Sequence, residues 1–570
     1  MRQLFEASSL ADLVDLEQPQ LRRLIYRCGW TLVWVGVLTT GLGVWGWWST
    51  WPPDSLLSPL ITMTAVVGLT AVWTLTIPEK QWFTRVSLAT ATLTTLYFQG
   101  LQIRGRGYYS TDSAAFNDVA TNLFVHGHNP YSWSVGQGAV QLIENPARFW
   151  TYTLNGGHVS QVSYPAGSFL LQAPLQLLGV HHLPSDWMDL LCGVAAMLLL
   201  YKMLPQIVRW LAPVLLLGGF YIGIFSNGGT DALFLPFLLL AVWRWDRFVD
   251  PTASRLTRFA SPVALGVACS IKQTPWFCAL FLIVGIAIEA RAHARPVATT
   301  TASYAGVVAG VFALINLPFF LANPRGWLHG AFLPLIDPLV PDGQGIISFA
   351  LHGSLHGARL AWLAIAGALA VLAVLALFVL RYATFKRSWL FLLPLALLLP
   401  ARSLSEYALD FVPVAIVAAF SVEATEFVVW PTLRARLRVG VLVAPVLAIV
   451  VCLVLAFTRP VLTITVGNVT TSQGTSLYAT MVVRLTNNTS SVVTPSVMVL
   501  ENDTHPTGFW HLAEGGALVL GPHQSRTVTL VSPPTTPTSL RDQYWIVTAV
   551  TPSPASISSS SPIQWHLGHR

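Results

Sequence analysis

The stretch "ASPVALGVACSIKQTPWFCALFLIVGIAIE", Ala260 to Glu289, is too long for one simple membrane span and holds Lys272 at its centre. A helix needs about 20 apolar residues to cross a bilayer. Two short helices, 260–271 and 273–289, broken near "KQTP", account for the block better. Pro275 supplies the break, because a residue that precedes proline leaves the helical region. A hairpin returns the chain to the side it came from, so this reading sets the sidedness of the segments around it.

Working outward, further apolar runs stand at 29–48, 56–77, 86–103, 187–203, 207–225, 229–245, 303–322, 358–380, 388–400, 407–429 and 439–457. With the two halves of 260–289 they give about 13 transmembrane helices. The segment 166–180, "AGSFLLQAPLQLLGV", is short and is read as re-entrant or interfacial. The expected fold class is therefore an α-helical polytopic membrane protein over 29–458. Composition agrees: 54% of the 570 residues are hydrophobic and only 10% are charged, against about 25% charged in soluble domains. The net charge of +7 does not point to nucleic acid. Basic residues cluster at "RRLIYR", "EARAHAR", "RYATFKR" and "RARLR", beside apolar runs, as the positive-inside bias requires, and no basic stripe exists for phosphate backbones. That bias puts the N-terminus in the cytoplasm and the loops 104–165, 323–357 and 401–406 outside. Residues 1–28 read as a cytoplasmic amphipathic segment lying along the membrane.

After Phe457 the pattern changes. Short alternating runs such as "SLYATMVVRLTN" and "SRTVTLVS", punctuated by Gly, Pro, Asn and Ser, predict an all-β sandwich over 459–570 with a mobile tail. It should lie outside the membrane. Its Trp510, Trp545 and Trp565 either bind glycan or pack its core or its contact with the membrane part. The five cysteines lie in or beside apolar segments without metal-ligand spacing, and read as buried structural thiols.

Polar residues near the exterior ends of the spans are the candidates for chemistry. In "YYSTDSAAFNDVATNLFVHGHNPYSW", Tyr108 to Trp133, a helix starts at Thr111–Ser113, shows an apolar stripe at Ala115, Val119, Leu123 and Phe124, and stops at Gly127. It is expected to lie on the membrane surface. Asp112 then either caps this helix or faces the site. Asp118 falls on another face and reads as a solvated or helix-stabilising neighbour. Asn227, Asp231, Lys272, His352, His356, Arg359, Arg402, Glu406 and Tyr407 occupy comparable positions, where ionisable groups are costly and often functional. Together they offer cations for a phosphate and a carboxylate to take a proton. His126, His128, His181 and His182 do not make a metal set.

The order of "LFVHGHNPY", "SYPAGSFLLQAPLQLL", "SNGGTDALFLPFLLLA" and "ACSIKQTPWFCALF" resembles the GT-C glycosyltransferases, in particular glycosyltransferase family 87, the bacterial polytopic mannosyltransferases, and their arabinofuranosyltransferase relatives. Gly127, Asn129, Pro130 and Tyr131 match one motif of that family. Tyr164 and Pro165 match part of a second, with Ala166 replacing a proline, and Lys272, Thr274 and Pro275 match a third. The likeness covers roughly 100–330 in detail. Two extra spans before the exterior loop and the β-domain are departures from it. The resemblance implies a polyprenyl-phosphate sugar donor, a glycan or glycolipid acceptor at the outer face of a bacterial plasma membrane, and inverting transfer. It makes Asp112 the general base, Lys272 a cation for the phosphate, and Asn129, Tyr131 and Tyr164 substrate-contacting residues; Arg402 is a second candidate cation by its position alone. No nucleotide cofactor is required, and use of a divalent metal stays open. A transporter or flippase of lipid-linked sugar would share such a polar cavity, but one broken helix without a counterpart speaks against it. An inert membrane part that carries a partner-binding β-domain is a third reading.

Overall fold

The computed structural model describes residues 19–48, 57–74, 81–218, 221, 224–225, 229–423, 435–471, 479–501, 506–533 and 544–564. Its longer helices are α1 Pro19–Trp48, α2 Leu57–Thr74, α3 Gln81–Gly105, α4 Asp112–Val125, α5 Pro184–Met203, α6 Asp231–Val242, α7 Arg255–Cys269, α8 Thr274–Ala292, α9 Val297–Ala322, α10 Pro324–Ile336, α11 Leu360–Leu380, α12 Phe411–Ser421 and α13 Ala435–Phe457. The block at 260–289 is broken, with Lys272 between α7 and α8. The indole of Trp276 donates to the Cys269 carbonyl at 2.8 Å, which satisfies an orphan acceptor at the end of α7.

Among the described residues only α8, α9 and α11 are long and apolar enough to cross a membrane. The expectation of about 13 transmembrane helices is thereby corrected. A glycine, a proline and a buried acid divide three of the other apolar runs. The run 207–225 yields the helix Leu211–Leu217 before Gly218. The run 388–400 divides into Trp389–Phe391 and Leu393–Leu397, the second opened by Pro394. The run 407–429 is split at Asp410 into Ser405–Leu409 and α12. Apolar composition does not separate a span from a helix buried in protein, and α6 illustrates this, with ten of its twelve residues buried. α1 begins at Pro19 and runs on into the first apolar stretch, so residues 19–28 are its first turns rather than a separate helix. Residues 1–18 lie outside the described ones.

Lipid-compatible surface persists on the long helices. Leu314 and Leu321 on α9, Leu372 on α11, and Val446, Leu447, Val450, Val451 and Val454 on α13 are all exposed. Apolar faces of this size are covered in a native setting.

The C-terminal strands are β4 Leu462–Thr471, β5 Ala479–Asn487, β6 Ser496–Glu501, β7 Pro506–Leu512, β8 Ser525–Val531, β9 Tyr544–Pro552, β10 Ala555–Ser559 and β11 Ile563–Gln564. Three short strands precede them, β1 Asp342–Gly343, β2 Gly357–Arg359 and β3 Arg402–Ser403. The expected sandwich is also corrected: one nine-stranded, barrel-like sheet runs β2-β10-β9-β6-β7-β8-β5-β4, with β11 on β9. β7 and β8 join its halves through His511↔Val531 and Leu512↔Leu530. The Leu462 amide of β4 donates to Ser558 Oγ of β10 at 3.1 Å and draws the ends together. Trp510 and Trp545 pack edge-on at 6.3 Å inside its core, so they are core residues and not a glycan platform. Trp565 lies outside the described residues.

β2 belongs to the helical part, yet it pairs antiparallel with β10 through Arg359↔Ser556, Ala358↔Ile557 and Gly357↔Ser558. Leu363 and Ala456 of the helices share one buried apolar cluster with Met498, Leu500, Ile546 and Ile557 of the sheet. The two parts are thus sewn together by backbone pairing and apolar burial. Elsewhere in the helical part, Lys386 Nζ lies 3.1 Å from Asp246 and 3.0 Å from Glu289, and the Tyr382 hydroxyl donates to Glu289 at 2.6 Å. All four residues are buried. Paired and hydrogen-bonded in this way, buried charge is tolerated.

Candidate functional site

α4 is capped by Thr111, not by Asp112. Thr111 is extended, and its Oγ1 accepts from the Ala114 amide at 3.3 Å. Gly127, at φ +82°, ends the helix. Its amide bonds to the Phe124 carbonyl and that of His128 to Leu123, both at 2.9 Å, the two bonds of a Schellman stop. The helix is packed into the protein rather than laid on a surface. Ser113, Ala114, Ala115, Phe116, Asn117, Ala120 and Thr121 are buried, while Val119, Leu123 and Phe124 of the expected stripe are half-buried.

Released from capping, Asp112 accepts at Oδ2 from the Thr151 amide at 2.7 Å. Burial raises its carboxyl above the ordinary range, and the Thr151 N–H and the charge of Arg402 oppose that shift. Tyr164 lies among Asp112, Lys272 and Asp231. Lys272 Nζ pairs with Asp231 and stands 5.8 Å from the Tyr164 ring and 5.3 Å from that of Tyr407. Asp410 and Asp189, both 1% exposed, flank the same ion pair. Glu406 is close to Asp231, Lys272 and Asp342, and burial raises its carboxyl. Arg402 Nη1 donates to the Val340 carbonyl at 3.2 Å, and its Nη2 is 3.9 Å from Asp342. The parallel pairing of β1 and β3, Asp342↔Arg402, fixes that relation.

The result is an acid-rich cluster with a floor of Lys272, Asp231, Asp410 and Asp189. Asp112, Arg402, Asp342 and Glu406 lie near it, and the rings of Tyr164 and Tyr407 stand beside Lys272. One lysine among several close carboxylates cannot keep all of them ionised, so at least one floor acid holds a proton. Among the described residues no three His, Cys, Asp or Glu side chains are arranged to hold a metal ion.

The segments are locked by backbone contacts. The Gly167 amide donates to the Ser270 carbonyl at 2.7 Å, and a Cβ on Gly167 would meet that oxygen at 2.6 Å. Only glycine permits this approach. Gln273 Nε2 donates to the Ser163 carbonyl at 3.1 Å and to that of Ala331 at 2.6 Å. In this way "SYPAG" and "SIKQTP" are held face to face.

Three expected site residues fall elsewhere. Asn129 caps the turn Pro130–Ser132 by accepting from the Tyr131 amide. The Tyr131 hydroxyl donates to the Tyr164 carbonyl at 2.7 Å, so both residues position the Tyr164 segment. His356 is exposed and contributes its carbonyl to the Ser559 amide at the sheet junction. It lies there because β2 is captured by β10. Asn227 is outside the described residues.

The sequence reading passed over Asp189, Asp342 and Asp410. Asp410 was visible as an acid four residues after Glu406, at the edge of an apolar run. Asp118 also differs from its expected role as a solvated or helix-stabilising neighbour. It accepts from the Tyr109 hydroxyl at 2.9 Å and from Gln176 Nε2 at 2.6 Å, and burial pushes its carboxyl up to about 6 against those two bonds. A carboxyl raised on folding favours the protonated native state. Its stabilising contribution is complete below about pH 4 and is lost as pH rises through about 6. Asp118→Asn is expected to flatten that part of the thermal-unfolding profile, and an unchanged profile would remove Asp118 from the account.

No family model, no curated protein and no solved structure matches this chain.

Proposed function

We propose that the chain is a membrane-embedded, inverting glycosyltransferase. It transfers a sugar, mannose or arabinofuranose, from a polyprenyl-phosphate donor to a glycan or glycolipid hydroxyl at the outer face of a bacterial plasma membrane. The motif resemblance supports this reading, as do the three helices able to cross a membrane. The basic residues at Arg22–Arg27, Arg381–Arg387 and Arg434–Arg438 orient it with a cytoplasmic N-terminus and an exterior β-domain.

The observation that carries the reading is Asp112: freed from capping, raised by burial and facing Arg402. A hydroxyl is a poor nucleophile until a positioned base takes its proton. The acceptor O–H gives its proton to Asp112 while its oxygen bonds the anomeric carbon. The bond from that carbon to the lipid phosphate breaks, and its electron pair stays on the phosphate oxygen. Arg402 is the cation for that developing charge. Lys272 takes a different part from the one the motif implies: its charge is already met by Asp231, so it organises the floor.

The nearly inaccessible Asp189 and Asp410 favour a second reading, proton-linked movement of a lipid-linked sugar. Purified full-length protein given polyprenyl-phosphate mannose or arabinofuranose and glycan acceptors is expected to form a glycosidic product of inverted configuration. Labelled lipid-linked sugar crossing vesicles with no such product would replace the transferase reading by the transporter.

A further inference from the structure

A second polar feature lies away from the acid cluster, where the helices meet the sheet. A cleft of about 720 Å³ opens there, lined by Arg359, Arg459, Asn488, Thr489, Ser491 and His523 among others, and no carboxylate lines it. Arg359 directly precedes α11, and Arg459 follows the end of α13 by two residues. These two helices pack along one another. Arg359 Nε donates to the Arg459 carbonyl at 3.2 Å, which ties the Arg359 guanidinium to the backbone at Arg459. Among the described residues neither guanidinium has a carboxylate partner within ion-pair distance. The opposite wall is held by Asn488, whose Nδ2 donates to the Pro460 carbonyl at 3.1 Å and to Thr463 Oγ1 at 2.9 Å.

The placement of these charges needs an explanation. Basic residues already stand at the other ends of the two helices, Arg381 and Arg387 after α11 and Arg436 and Arg438 in the first turn of α13. Two more arginines at the sheet end gain nothing from the positive-inside bias. α11 has 21 residues and rises roughly 30 Å, the thickness of the hydrocarbon core. Its N-terminus, with Arg359, therefore sits at headgroup depth. Guanidinium groups match phosphate oxygens in pairs, and hydroxyls and an imidazole complete such a site.

We propose that this cleft binds the phosphate group of an anionic membrane lipid, with Arg359 and Arg459 as its paired donors. The site is separate from the acid cluster and does not depend on the transferase reading.

The full chain, purified and placed in nanodiscs of mixed phosphatidylglycerol and phosphatidylcholine, is examined by native mass spectrometry for retained lipid. The wild type is expected to keep phosphatidylglycerol preferentially. Each basic group at an anionic surface contributes a factor of about five, so Arg359→Ala with Arg459→Ala should lower that preference roughly 25-fold. Arg459 is exposed, so Arg459→Glu alone tests the site without disturbing the sheet, and it should abolish the preference. Arg484→Ala, at an exposed arginine on β5, should leave it intact. A wild type without preference, or variants that keep it, overturns the proposal. A titration with inorganic phosphate separates the sources. Displacement of retained phosphatidylglycerol confirms one shared phosphate site, whereas phosphate binding without lipid retention overturns the lipid assignment.

Discussion

Asp112→Asn is expected to lower glycosyl transfer by about 10²–10⁴-fold, the usual contribution of a positioned general base, while the protein stays folded. Asparagine keeps an oxygen that can accept from the Thr151 amide, so the bond that now holds Oδ2 survives. Only the ability to take a proton is removed. Structural damage would appear as a lower unfolding temperature, and loss of the base would not. The pH profile supplies a second check. Asp112 must be ionised to act, and its carboxyl is raised by burial. Transfer by the wild type should therefore fall as pH drops through that raised value, at a higher pH than an ordinary carboxylate would give. Residual transfer by the variant should lack this acid limb. Full activity in Asp112→Asn would end the assignment of the base.

Lys272→Met is expected to destabilise the helical part by about 3–5 kcal/mol, the range for removing one partner of a buried ion pair. Its ammonium is the cation set between α7 and α8 among Asp231, Asp189 and Asp410. Asp231→Asn should cost clearly less, because Asp410 is at hand to ionise and take its place beside Lys272. Thermal unfolding in detergent measures both. Equal losses would mean that Asp410 cannot substitute and that the floor acids are not interchangeable. Combining Lys272→Met with Asp231→Leu should recover part of the loss, since an apolar pair leaves fewer buried charges without a partner.

Local chemistry was legible in the chain. The start of α4 at Thr111, its stop at Gly127 and the break before Pro275 follow from caps, left-handed glycine and the pre-proline restriction. Each depends on residues within one or two turns. Asp231, Lys272, Arg402, Glu406 and Tyr407 stood out because charge or a phenol beside apolar runs demands a reason. What one segment cannot report is its partner. Asp342 has the same local look as residues that face solvent, Asp189 and Asp410 sit at apolar runs with no visible partner, and His356 has the same look as the site residues. Nothing in the sequence near Asp118 foretells its partner Gln176, 58 residues on.

The amino-acid order by itself determined the breaks, the caps, the apolar character of the helical part and the strand character of 459–570, because these depend on side chains within a few residues of each other. It also determined which few ionisable residues are set into that apolar frame. Only the tertiary structure decided where the apolar runs divide into helices, so that among the described residues α8, α9 and α11 alone are long and apolar enough to cross a membrane. It likewise decided that β2 leaves the helical part to join β10 in one barrel-like sheet, because alternation marks the two faces of a strand and not its neighbour. And it brought Asp112, Tyr164, Asp231, Lys272, Arg402 and Asp410 into one cluster from separate segments. In that cluster the charge of each group depends on burial and on the charges beside it, neither of which is a property of the residue alone.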